Sequence, residues 1–155
     1  MKKTNAMRIL DSKKVAYNII KYEIDDDHVD GISVTRKIGK EFEEVYKTLI
    51  TKGLHEHYVF VIPVKEHLDL KKAAKVTKEK KIEFINCNDI LKTTGYIRGG
   101  CSPIGMKKGF KTFIQEDSIT LKTIVVSAGK IGLQIELDPQ ELQKITSGEF
   151  ENIIQ

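Results

Sequence analysis

Two short segments hold the residues whose types and spacing could do chemistry. The first runs Thr94-Gly-Tyr-Ile-Arg-Gly-Gly-Cys-Ser-Pro-Ile-Gly-Met-Lys-Lys108. Gly99 and Gly100 lack a Cβ, so backbone N–H groups there can approach a ligand oxygen closely. Pro103 restricts the turn that follows. Such a loop can hold a carbonyl oxygen as it gains negative charge, the work of an oxyanion hole. The same composition also suits a tight structural turn. It is not a phosphate-binding P-loop, because no GxxxxGK[ST] is present. The second segment is Val45-Tyr-Lys-Thr-Leu49. Strand alternation places Val45, Lys47 and Leu49 on one face and Tyr46 and Thr48 on the other. A lysine between two aliphatic residues is either a working cation or an edge-strand lysine that discourages pairing with other chains.

A protein nucleophile is harder to find. No Ser/His/Asp or Cys/His arrangement is evident. Cys101 sits in the glycine loop, but a reactive thiolate needs a cationic neighbour or a helix N-terminus, and the sequence supplies neither. Cys101 is therefore expected to form a pocket wall. His28, His55, His57 and His67 make no HExxH or Cys/His ligand pattern, so no metal site is expected. Cys87 and Cys101 lack CxxC spacing and are expected as two free thiols.

The chain has 155 residues, 40% hydrophobic and 31% charged, which suits one domain over 1–155 with a real core. No apolar run approaches the ~20 residues that cross a bilayer. The start MKKTNAMRIL lacks the apolar stretch and cleavage site of a secretion signal, so a cytoplasmic location without a membrane is expected. A net charge of +4 permits a polyanionic partner. Lys71, Lys72, Lys75, Lys78, Lys80 and Lys81 form either a solvated helix face or a nucleic-acid contact.

The elements that must position these residues can be read in order. Thr4 caps a helix that buries Met7, Ile9 and Leu10 and ends near Lys14. A strand over Val15 to Glu23 precedes an acidic loop of Asp25, Asp26, Asp27, Asp30 and Gly31. Ser33 caps a short helix that Gly39 helps to stop. Strands follow over Val45 to Ile50 and Tyr58 to Val64, with Gly53 between them and Pro63 at an edge. Asp69 caps the lysine-rich helix, Ile82 to Ile85 is a short strand, and Asn88 starts one or two helical turns. The last third gives strands over Lys111 to Gln115, Thr123 to Val126 and Gly132 to Leu137, with a hairpin at Ser127 to Gly132. A final helix runs from Pro139 to Thr146. This pattern predicts an α/β chain of the α+β kind: a mixed, largely antiparallel sheet or small β-barrel with helices outside.

Gly99-Gly100-Cys101-Ser102-Pro103 resembles the GxxxP signature of bacterial prolyl-tRNA synthetase editing domains and their free-standing relatives. Within that superfamily, GGCSPIGMKK is similar to the YbaK type of Cys-tRNA(Pro) deacylase. Val45 to Leu49 and Val126 to Leu137 fit the same family in the same order, so the resemblance covers essentially the whole chain. It implies the YbaK-like editing fold, no cofactor, and trans-editing hydrolysis of mischarged Cys-tRNA(Pro), with prolyl-tRNA synthetase as a possible companion. It implies that Lys47 lies in the editing pocket and that backbone N–H groups from Gly99 through Cys101 to Ser102 stabilise the oxyanion. Tyr22, Thr48, Pro103, Ile104, Ser127 and Gly129 align with pocket positions, and Glu141 with an acidic one. Asp30 stands where some relatives carry an aromatic residue. In this family the substrate supplies the nucleophile, the thiol of the esterified cysteine. Alternatives are another mischarged substrate such as Ala-tRNA(Pro), or a non-catalytic tRNA- or synthetase-binding module.

Overall fold

Local capping and strand pairing account for most of the elements. The computed structural model describes residues 2–25 and 30–155, so Asp26 and Asp27 of the expected acidic loop, and the histidine His28, lie outside the described residues. Helix α1 (Asn5–Ser12) begins at Thr4, whose Oγ accepts from the Met7 N–H at 3.2 Å and donates to the Ala128 carbonyl at 2.6 Å. One side chain thus caps the helix and ties it to a strand. Ala6, Met7 and Leu10 are buried on its inner face.

Two sheets carry the fold. The smaller has the order β1 (Asn18–Lys21), β7 (Leu133–Leu137), β6 (Ile124–Lys130), all antiparallel. The larger has the order β4 (Glu83–Phe84), β2 (Tyr46–Lys52), β3 (His57–Pro63), β5 (Lys111–Gln115), β8 (Glu149–Glu151). Its β4/β2 and β2/β3 pairs are antiparallel, whereas β3/β5 and β5/β8 are parallel. A parallel bridge between Val45 and Val125 joins the two sheets, and the Val125 N–H donates to the Glu44 carbonyl at 2.9 Å. The sheets meet at this seam without closing, so the barrel alternative gives way to two joined sheets.

Alternation then divides the core into layers. Tyr46 and Ile50 of β2, with Val59 and Val61 of β3, face the main core against Val126, Ile135 and Leu137 of the small sheet. The opposite face of the large sheet carries Tyr58, Phe60, Ile62 and Phe113, covered by α3 (Leu70–Thr77) through Ala73. Phe60 and Phe113 stack at 5.4 Å across the parallel pair. A third cluster of Val45, Val64 and Val125 fills the seam.

Several boundaries differ from the sequence reading. The expected strand from Val15 shortens to β1, because Val15 still belongs to the exit of α1, donating its N–H to Leu10. Helix α2 (Gly31–Ile38) is capped by Asp30, not Ser33; Asp30 accepts both the Ser33 N–H at 3.0 Å and its hydroxyl at 2.9 Å. Gly39 ends it in the left-handed conformation at φ 69°. Asn86 caps a 3-10 turn, Cys87–Asp89, ahead of α4 (Ile90–Thr94), two residues before the expected start at Asn88. The hairpin expected over Ser127 to Gly132 is mostly strand, because β6 continues to Lys130 through a register shift after Ser127. Helix α5 (Pro139–Thr146) lies where expected. Strand β8 is three residues long, too short for alternation to reveal.

Candidate active site

The start of β2, the start of α2 and the glycine turn converge on one cavity of about 180 Å³. Lys47, Thr48, Gly99, Cys101 and Ser127 all line it, from three distant stretches of sequence. Gly31, Val34 and Val64 supply an apolar wall, and Gln134 a buried amide. Ser127 and Gln134 are cross-strand partners on β6 and β7, so the small sheet presents two adjacent polar side chains to the cavity. Gly31 allows α2 to seat here: a Cβ on it would meet Val64 Cγ1 at 2.7 Å.

The glycine turn is built by hydrogen bonds behind the cavity. Gly100 donates its N–H to the Ile97 carbonyl at 3.0 Å, with Gly99 at φ 86° between them. That conformation favours glycine. Gly100 packs on the β6–β7 connection, where a Cβ would meet the backbone N of Ile131 at 2.9 Å. Ser102 is fully buried, and its Oγ accepts the Ile104 N–H at 3.2 Å. Tyr96 Oη donates to the Ile104 carbonyl at 2.6 Å. Among the described residues, the N–H groups of Cys101 and Ser102 meet no acceptor in the chain. The N–H of Gly99 is likewise unengaged, and of these three residues only Gly99 and Cys101 stand on the cavity wall, so theirs are the donors open to a ligand oxygen. The N–H of Gly100 itself, expected among them, is already spent on the turn.

Charge in the cavity is sparse. No described carboxylate lies within 4.0 Å of Lys47 Nζ. Burial pushes the Lys47 ammonium below the ordinary lysine range, opposed in part by the more distant Glu66. Burial pushes the Cys101 thiol up to about 11, against a smaller contribution from Thr94 that lowers it. Cys101 thus stays protonated near neutral pH, which suits a wall and not a nucleophile. Thr48 Oγ1 is buried without a hydrogen-bond partner among the described residues, as is Tyr22 Oη. A buried hydroxyl left unpaired costs about 1–3 kcal/mol, so each is a natural contact for a ligand or water.

Other expected pocket residues lie elsewhere. Pro103 and Ile104 are buried behind the turn, Ile104 within the main core. Ser102 likewise supports the turn from behind and does not line the cavity. Gly129, at φ 99°, backs onto Tyr96, whose Cε1 a Cβ would meet at 2.7 Å. Tyr22 borders a neighbouring concavity with Lys21, Glu23 and Lys37, the Lys37 ammonium standing 6.0 Å from its ring centre. Glu141 lies on α5, 3.8 Å from Lys144, and is not part of the cavity wall. The sequence reading missed Gly31, Val34, Val64 and Gln134. Gln134 carried no signal, because a polar residue alternating with Leu133, Ile135 and Leu137 reads as the solvent side of a half-buried strand.

Two likenesses bear on what the cavity is for, and two more on the fold. The family model described as "Aminoacyl-tRNA editing domain" matches residues 30–145. An Enterococcus faecalis protein named "Putative Cys-tRNA(Pro)/Cys-tRNA(Cys) deacylase EbsC" is 46% identical over 152 residues, covering 97% of this chain and 93% of its own. The crystal structure of "a putative trans-editing enzyme for prolyl tRNA synthetase" superposes with a TM-score of 0.85 over 100% of this chain and 99% of its own, at 18% identity. That of the hypothetical protein APE2540 reaches 0.89 over 98% and 100%, at 16% identity, and both show the same fold. With three-quarters of its length inside the family model and its lysine and glycine turn on one cavity, the chain belongs to the aminoacyl-tRNA editing domain family.

Proposed function

We propose that this chain is a trans-editing deacylase that hydrolyses the ester of a mischarged aminoacyl-tRNA, with Cys-tRNA(Pro) as its substrate. The observation that carries the reading is the meeting of Lys47 with the Gly99–Cys101 turn in a single small cavity. The 46% identity to the Enterococcus faecalis protein supports the choice of substrate.

An aminoacyl-tRNA is an ester at a ribose hydroxyl, already activated toward attack. Among the described residues the cavity wall offers no thiolate of its own, since Cys101, the thiol that lines it, holds its proton. The attacking group is instead the substrate's own thiol. Its sulfur bonds to the carbonyl carbon, the carbon–oxygen bond to the ribose breaks, and the proton lost by the thiol is matched by one gained at the ribose oxygen. The product is a strained cyclic thioester, which water opens to free cysteine. Lys47 lowers the thiol pKa from its ordinary ~8.5, and the N–H groups of Gly99 and Cys101 hold the oxyanion. Tethering nucleophile and electrophile in one molecule contributes a high effective molarity. The cavity volume favours a small aminoacyl group over a bulky one.

Purified protein incubated with Cys-, Ala- and Ser-tRNA(Pro) tests the reading. Release of cysteine fastest, and its loss in Lys47→Ala with tRNA binding retained, is the expected result. Equal background hydrolysis in both proteins would make the chain a binding module, and faster alanine release would reassign the substrate.

A further inference from the structure

A second concavity opens beside the first and shares Lys47 with it. It is lined by Lys47, Leu49, His67, Leu70, Lys71 and Phe84, among others. The strand register explains the arrangement. Lys47 and Leu49 share the outer face of β2, opposite Ile62 and Phe60, and Phe84 of the edge strand β4 pairs with Thr51 further along that face. Helix α3 covers the middle of this layer but leaves its first residues, Leu70 and Lys71, at the groove margin. Phe84 is 50% exposed and Leu70 40% exposed, the apolar part of a groove whose rim is cationic. The acid at its margin, Asp69, is already engaged by the N–H groups of Lys71 and Lys72.

We infer that this groove receives the unpaired 3′ end of the tRNA, one base stacking on Phe84 while Lys71 faces the phosphates. The inference rests on the deacylase reading, which puts the esterified ribose beside Lys47. From there the strand must leave along a surface, and the groove shares Lys47 with the cavity. Four residues of strand separate Lys47 from the level of Phe84, roughly 13 Å, the reach of a few nucleotides of single strand. An aromatic face beside cations is the usual means of holding single-stranded nucleic acid without reading its sequence.

The test is binding of uncharged tRNA by wild type and Phe84→Ala, with Phe84→Trp as the conservative variant and Ile119→Ala, an exposed apolar residue outside the groove, as control. Loss of one stacking contact should weaken binding by about 5- to 100-fold, Phe84→Trp should restore it, and Ile119→Ala should match wild type. The same loss should appear in KM for deacylation with kcat largely kept. With tRNA trimmed of its unpaired 3′ nucleotides, wild type and Phe84→Ala should bind alike. Unchanged affinity in Phe84→Ala, or an equal loss on trimmed tRNA, overturns the groove assignment. Because uncharged tRNA is the probe, that outcome stands apart from failure of the deacylase reading, which would show as absent turnover with the groove's binding effect intact.

Discussion

Ile97 accepts the backbone N–H of Gly100 at 3.0 Å, and this one bond decides which donors the glycine turn can offer. It fixes Gly99 in a conformation that favours glycine and presses Gly100 against the Lys130–Ile131 backbone. The turn is thereby rigid before any ligand arrives, as an oxyanion cradle must be. The loop is the tight turn that its composition suits, and the proposed cradle requires the same rigidity.

Gly100→Ala should therefore damage activity more than stability. The added Cβ would stand 2.9 Å from Ile131 N and 3.1 Å from the Lys130 carbonyl carbon, backbone atoms that cannot swing aside. The turn must move by a fraction of an ångström, carrying the Gly99 and Cys101 N–H groups on the cavity wall with it. Misplacement by about 1 Å can cost 10²-fold in rate, so a fall in kcat of about 10- to 100-fold is expected in single-turnover deacylation. Full activity in a folded Gly100→Ala protein would detach the turn from the chemistry.

Gly129→Ala should act the other way, on stability first. Its φ of 99° is strained for alanine, and the Cβ would enter the ring of Tyr96. Tyr96 cannot retreat without giving up its bond to the Ile104 carbonyl. A loss of about 2–3 kcal/mol, or about 5–10 °C in Tm, is expected by thermal denaturation.

Cys101 should prove dispensable. With its thiol raised to about 11 it is almost wholly protonated at pH 8, whereas Cys87 is exposed. Iodoacetamide at pH 8 should label Cys87 first, as peptide mass mapping will read. Cys101→Ala should keep most of its turnover. An inactive but folded variant would bring back a covalent enzyme intermediate.

How far the sequence reaches can be judged from particular residues. The caps at Thr4 and Asp69 and the first turn at Pro139 depend on neighbours within four positions, and these were legible. So was the lysine of β2, because its neighbours are aliphatic. Gly31 and Val64 were not, since their importance comes from a contact across 33 positions. Glu141 was placed by alignment alone, and its side chain turned out to pair within its own helix. The glycine turn showed its composition but not its bonds. Which N–H groups are free depends on Ile97, a residue with no chemical signature of its own.

The pair of Lys40 and Glu136, 2.5 Å apart, predicts a pH effect on stability. Lys40 holds Glu136 below the ordinary glutamate range, and Glu136 raises Lys40 in turn. The contribution of a lowered carboxylate is full above its unfolded pKa and is lost as pH falls through the folded value. That of a raised lysine is full below its unfolded pKa and lost as pH rises through the folded value. The pair therefore acts between about pH 4.5 and 10.5. Lys40→Met should lower Tm at pH 7 by a few degrees at most, consistent with about 1 kcal/mol or less for a partly exposed pair, and the difference should vanish toward pH 3. A difference that persists undiminished at pH 3 would mean that packing, not charge, carries the effect.

The last prediction concerns the sulfur itself. If the substrate thiol attacks, methylating the sulfur of Cys-tRNA(Pro) removes the nucleophile while adding one carbon to a group the cavity must still accommodate. Release should fall to the uncatalysed rate, and the methylated ester should still compete with Cys-tRNA(Pro) as an inhibitor. Seryl-tRNA(Pro), with a far weaker nucleophile at the same position, should be released slowly although it fits. Lys47→Ala should lower the rate on the cysteine ester toward these values without changing the other two, because the ammonium has no thiol to ionise there. Turnover of the methylated ester by wild type, lost in Lys47→Ala, would instead assign Lys47 to a directly attacking water.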